Sequence, residues 1–188
     1  LLDFSHLTYV HANSFGAGDT FAMELPKVTP LERGVRFDRW LTNDPGPVGR
    51  RTGNLVDGWM RYDFLMPGVL LMWSGVYPTG SAEKYGMGEP DHSAAMAAVS
   101  TTSQAVTPMT AKTARYFFST GPHRDHGDNA LRDVMVDVAN RAFAEDKTMI
   151  EAQQRIIDTD PARPVMPTAA DKGVTLFNRL MAKLSDEA

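Results

Sequence analysis

Five histidines and no cysteine bound the chemistry open to this 188-residue chain. Without a thiol there is no disulfide, no cysteine-held zinc or iron–sulfur cluster and no thiolate nucleophile within these residues. Any metal must be held by imidazole, carboxylate, amide or water. His6 and His11 share one segment, five residues apart, with Asp3 three residues before His6. On a regular helix, positions i and i+5 diverge by about 140°, so the pair converges only if the helix ends or distorts between them. Two histidines and one carboxylate from elsewhere would make the facial triad that holds non-haem Fe(II) and leaves positions open for O2 and substrate. The competing reading is two partly buried helix histidines with ordinary hydrogen bonds.

The third ligand would come from a long acidic helix near the C-terminus, which carries Asp133, Asp137, Glu145, Asp146, Glu151 and Asp158. Most of these belong on a solvated face. Ala142, Phe143, Met149 and Ile150, with Gln153, mark the face expected to be buried. Asp146 falls one turn from Phe143, Met149 and Ile150, near that face, whereas Glu145 and Lys147 are expected to point outward. A carboxylate facing a cavity needs a partner, because an unpaired buried charge is costly. Asp146 is therefore the best third ligand by geometry. The cluster His123-Arg124-Asp125-His126 and the lone His92 read as solvated loop residues. There is no Gly-x-Ser-x-Gly elbow, no phosphate-binding glycine loop and no His-Glu-x-x-His helix.

The positioning elements follow from periodicity. Leu2, Phe4, Leu7 and Val10 predict a helix over residues 1–15, ending in the Asn13–Gly18 turn. Short strands are predicted at Phe21–Leu25 and Val35–Leu41, with a loop over Asn43–Gly49. Trp59–Leu65 and Val69–Tyr77 read as paired strands around Pro67-Gly68. Ala94–Val106 and Thr113–Ser119 read as two more, joined by a hairpin at Thr107–Thr110. Asp128 is placed as the N-cap of a helix running through Ile157, and a second helix is expected from Ala169 to Leu184. The predicted class is α+β: a curved antiparallel sheet wrapping a long C-terminal helix, with a cavity between them.

Length and charge narrow the partners. The chain fits one domain. A net charge of −4 argues against a general nucleic-acid binder. No apolar run approaches the roughly 18 to 20 residues of a membrane-spanning helix.

The residues also carry a family resemblance. Leu1-Leu2-Asp3-Phe4-Ser5-His6-Leu7-Thr8-Tyr9-Val10-His11-Ala12 resembles the mononuclear-iron motif of Rieske-type oxygenase alpha subunits, Asn-Leu-x-Asp-x-x-His-x-x-x-x-His. The likeness is to the vanillate O-demethylase and dicamba monooxygenase branch. Ala144-Glu145-Asp146-Lys147-Thr148-Met149-Ile150-Glu151-Ala152-Gln153-Gln154 resembles that branch's carboxylate-bearing segment. Val106–Thr110 followed by Tyr116-Phe117-Phe118 looks like its late hairpin. The first motif is fairly specific, and the second gains from its position.

The resemblance implies a helix-grip fold of the START and Bet v 1 type, with residues 1–188 as the mononuclear-iron catalytic domain. It makes His6, His11 and Asp146 ligands of Fe(II). It makes Asp3 the carboxylate that passes electrons from a Rieske [2Fe–2S] cluster in a neighbouring subunit, which requires an oligomer, typically a homotrimer. It implies a cytoplasmic monooxygenase that takes NAD(P)H electrons through a reductase and uses O2 on an aromatic substrate. The expected reaction is O-demethylation of a methoxy-aromatic acid, with Gln104 as a candidate contact to a substrate polar group. Met72 and Trp73 are either pocket walls or core. The family's N-terminal Rieske domain, with its two cysteines, has no counterpart here, and the motif's leading Asn would precede Leu1. The start at Leu1, without an initiator Met or a signal-peptide pattern, is read as that of a fragment. Two other readings stay open: a non-catalytic carrier of an apolar small molecule in the same cavity, and a zinc-dependent hydrolase using the same three residues.

Overall fold

The computed structural model describes residues 2–15, 18–45, 54–164 and 166–186. Six strands dominate it: β1 Lys27–Leu31, β2 Gly34–Asp44, β3 Val56–Leu65, β4 Val69–Tyr77, β5 Ala97–Pro108 and β6 Ala114–Pro122. They form one antiparallel sheet in the order β1-β2-β3-β4-β5-β6, so each strand pairs with its neighbours in sequence. Two short helices precede the sheet, α1 Leu7–Val10 and α2 Asp19–Met23, and α3 Ser81–Lys84 follows β4. The chain closes with α4 Asn129–Thr159 and α5 Lys172–Asp186. This is the expected α+β class: a curved, open antiparallel sheet with a long helix. Among the described residues no helix is long and apolar enough to cross a membrane.

Period-2 alternation gives the sheet two packed faces. In register, Val35 faces Phe64 and Phe37 faces Tyr62 across β2 and β3, and Leu70 follows next to Phe64 on β4. These side chains are almost fully buried and form the main core with Leu41, Phe4, Phe21 and Phe177. Burying one such side chain is worth about 2 kcal/mol, so this cluster dominates the stability of the domain. The terminal helix α5 seats here. Gly173 is essential to the fit, because a Cβ at that position would lie 2.1 Å from the Phe37 ring. One turn on, Phe177 meets Phe64 edge to face at 4.8 Å.

The opposite face carries Trp40, Trp59 and Tyr77, covered by Ala82 of α3 and by Ala95. Asp57 ties this layer together, at 1 % exposure. Its carboxylate accepts from Asn43 N–H at 3.1 Å and from Ala82 N–H at 3.0 Å. One side chain thus closes the end of β2 and the start of α3.

The long helix α4 is capped as expected, with Asp128 accepting from Leu131 N–H at 2.9 Å. Its 31 residues span about 46 Å at the standard rise. It leans on the β6 edge, where Phe143 packs between Tyr116 and Phe118 at 5.0 and 4.7 Å. Only Ala139 and Ala142 are fully buried. Met149 and Ile150, expected inside, are more than half exposed.

The N-terminal elements also differ from expectation. The helix predicted over residues 1–15 is reduced to Leu7–Val10, followed by turns. Asp3 explains the loss at one end: its Oδ1 accepts from both Ser5 N–H and Ser5 Oγ–H, a local turn that competes with helical bonding. Phe21–Leu25 is not a strand; most of it belongs to α2, and only Phe21 points inward. Arg39 holds that helix, donating to the carbonyls of Phe21 and Glu24. The edge strand β1 contains Pro30, which an edge position tolerates. Of the predicted Asn43–Gly49 loop, Asn43 and Asp44 end β2, and residues 46–49 lie outside the described residues. Residues 16–17 of the predicted Asn13–Gly18 turn lie outside them too.

Candidate metal centre

The early end of α1 decides how the two histidines meet. His6 is the N-cap and His11 the C-cap of a helix only four residues long: His6 C=O accepts from Val10 N–H at 2.8 Å, and the backbone leaves helical geometry at His11, with φ −102° and ψ 22°. Their rings stand edge to face, with centroids 5.1 Å apart. Across from them, α4 delivers Asp146. Its Oδ1 lies 3.4 Å from His6 Nε2 and 3.2 Å from His11 Nε2. One ligand atom from each of the three residues lies within 4.8 Å of the others. Two ligands bound at about 2.1 Å and at right angles stand about 3 Å apart, so this spacing suits a shared cation.

Glu145 does not point outward. Its Oε2 lies 2.9 Å from His11 Nδ1 and accepts from Ser14 Oγ–H at 2.6 Å. These hydrogen bonds, first that from Ser14 and then that from His11, hold the Glu145 carboxyl below its usual range. Adjacency to Asp146 was the only sequence signal for Glu145, and for Ser14 there was only its place three residues after His11. On β6, burial raises the Tyr116 phenol, and the nearby Asp146 carboxylate adds to the effect.

The remaining candidates spread around this centre. Asp3 lies at its outer rim, 48 % exposed, with Oδ2 3.9 Å from His6 Nδ1. Gln104 is buried on β5, between Leu70 and Phe118 in register. That is the sheet face on which α4 packs, and its Nε2 donates to the weak acceptor Met72 Sδ at 3.1 Å. Met72 shares that face and packs on the main core. Trp73 alternates to the opposite face, where it stacks on His92 at 4.1 Å. It therefore cannot line a pocket on the α4 side. His123, exposed, and His126, half-buried, sit in the turn after β6, outside the cluster around Asp146.

The chain resembles known proteins along nearly its whole length. The vanillate O-demethylase oxygenase C-terminal domain family matches residues 1–187. A toluene-4-sulfonate monooxygenase system iron-sulfur subunit of Comamonas testosteroni is 32 % identical over 98 % of this chain and 53 % of its own length. A vanillate O-demethylase oxygenase subunit of a Pseudomonas species is 29 % identical over 98 % of this chain and 56 % of its own. The chain spans about half the length of these relatives. The crystal structure of dicamba monooxygenase bound to 3,6-dichlorosalicylic acid superposes with a TM-score of 0.77 at 20 % identity, over 98 % of this chain and 53 % of that one. The shared fold and the matched family lead to one conclusion: the chain belongs to the vanillate O-demethylase oxygenase C-terminal domain family.

Proposed function

We propose that residues 1–188 form the mononuclear-iron catalytic domain of a Rieske-type aromatic monooxygenase, with His6, His11 and Asp146 as the Fe(II) ligands. The observation that carries this reading is the meeting of two imidazole Nε2 atoms at a single carboxylate oxygen, at 3.4 and 3.2 Å. Two nitrogens and one carboxylate are the donor set of open-sided ferrous sites. When bound, Fe(II) supplies the reductive activation of O2 that oxidation of a methoxy group requires.

The chain's own residues hold the metal, orient the substrate and exclude water. Gln104 offers a buried amide whose partner, a thioether sulfur, is readily exchanged for a substrate oxygen. The core aromatics keep the sheet face rigid behind it. The overall reaction consumes a methoxy-aromatic acid, O2, two electrons and two protons, and yields the phenol, formaldehyde and water. The electrons come from NAD(P)H by way of a reductase and a [2Fe–2S] cluster. This chain has no cysteine to hold such a cluster, so we place it on a segment outside residues 1–188. Asp3 at the rim, beside His6, is the bridge from a neighbouring subunit's cluster in a cytoplasmic homotrimer.

The test is anaerobic Fe(II) reconstitution of the full-length protein, then turnover of methoxybenzoic acids with reductase and NAD(P)H while formaldehyde is measured. Formaldehyde that depends on iron, O2 and electron donor supports the reading. Turnover with zinc and no electron donor would favour the hydrolase. Tight binding of an apolar ligand with no metal uptake would favour the carrier.

A further inference from the structure

His11 is the most enclosed of the converging side chains, at 2 % exposure against 29 % for His6 and 27 % for Asp146. Both of its ring nitrogens face acids from adjacent positions of α4. Nδ1 meets Glu145 at 2.9 Å, and Nε2 meets Asp146 at 3.2 Å. Consecutive helix positions diverge by about 100°. The two carboxylates still straddle one imidazole, because the glutamate arm is longer by a methylene and reaches round the ring.

A cation shared by Nε2 and Asp146 takes the lone pair of that nitrogen, which leaves the ring proton on Nδ1, facing the Glu145 carboxylate that can only accept. Ser14 Oγ donates to the same Glu145 oxygen at 2.6 Å and fixes that carboxylate from its other side. Ser14 is itself tied to the ligand segment, its N–H donating to His11 C=O at 3.2 Å. Phe15 closes the ring's edge, with centroids 5.2 Å apart. On the outer nitrogen of His6, by contrast, Asp3 stays at 3.9 Å, beyond hydrogen-bond reach.

We infer that Glu145 is a positioning residue: with Ser14 as its brace, it fixes the tautomer and ring plane of His11 so that Nε2 is preset for the metal. This rests on the iron reading above and adds an asymmetry to it. His11 is the rigid ligand. His6, more exposed and less tightly tethered, is the one that adjusts.

The test titrates Fe(II) anaerobically into full-length protein freed of its mononuclear metal. The readout is the EPR signal of the ferrous nitrosyl adduct, whose rhombicity reports ligand geometry independently of turnover. Glu145→Ala is expected to weaken Fe(II) binding by about 10- to 100-fold and to broaden the rhombicity. Glu145→Gln keeps an acceptor for the imidazole N–H and is expected to recover most of that loss. Ser14→Ala is expected to fall between wild type and Glu145→Ala. Thermal melts of the metal-free proteins show which variants are folded, and Glu145→Gln carries the test should the alanine variant not fold. Fe(II) affinity within about twofold of wild type and unchanged rhombicity in Glu145→Ala would overturn the inference. So would a folded Glu145→Gln that is as weak as the alanine variant. A wild-type protein without a nitrosyl signal would overturn the iron reading itself, which is a separate result.

Discussion

The Oδ2 atom of Asp3 stands 3.9 Å from Nδ1 of His6, the ring whose other nitrogen faces Asp146. Asp3 is half exposed, while its other oxygen is held by Ser5. It therefore borders the candidate metal centre and presents a carboxylate at its outer side. Asp3→Asn in the full-length enzyme should keep Fe(II) binding close to wild type while lowering turnover by at least about tenfold. Parallel iron titration and formaldehyde assays check this. Unchanged turnover would remove Asp3 from the electron path.

Asp57 should prove a stability residue with no part in metal binding. Its buried carboxylate satisfies the N–H groups of Asn43 and Ala82. Asp57→Ala strands both donors beneath the tryptophan layer, and should destabilise the domain by about 3 kcal/mol. Urea unfolding followed by tryptophan fluorescence measures it, and Fe(II) affinity of the folded variant should not move. A loss below about 1 kcal/mol would show that water replaces the carboxylate.

Alkaline pH should weaken the fold through its buried phenols. Burial raises the Tyr62 and Tyr116 phenols and pushes Tyr77 up to about 12. The phenolate is thus disfavoured in the folded state. The stabilisation is complete below the unfolded tyrosine value of about 10 and is lost as pH rises from there toward 12. Tyr77→Phe should reduce that loss. At neutral pH it should leave stability unchanged or higher by about 1 kcal/mol, because Tyr77 Oη is buried with no hydrogen-bond partner among the described residues. Urea unfolding at a series of pH values tests both parts. A Tyr77→Phe variant markedly weaker at neutral pH would contradict them.

How far the sequence reached depended on the strength of each local pattern. β3 was legible because bulky residues alternate along it, β4 because it is one continuous apolar run, β6 from its aromatic run, and α4 because its apolar period and Asp128 cap agree. β1 was not, since Pro30 argues against a strand unless the strand is known to be an edge. The first 15 residues read as helix, but the Asp3–Ser5 turn outcompetes the helix, an effect that apolar spacing does not register. The one turn that survives runs from His6 to His11 and ends there, where the backbone leaves helical geometry and the two rings meet despite their five-residue spacing. Asp146 could be read from its helical phase. Glu145 could not, because phase places it outward while its longer arm reaches back to His11. Such wrap-around contacts depend on how closely α1 and α4 approach, which no single helix pattern contains.

The central claim is that His6, His11 and Asp146 bind one Fe(II). Anaerobic titration of the full-length protein, read by the ferrous nitrosyl EPR signal, tests it most directly. The account predicts one such site per chain in wild type and none in folded His6→Ala or Asp146→Ala. Full occupancy in His6→Ala would contradict it.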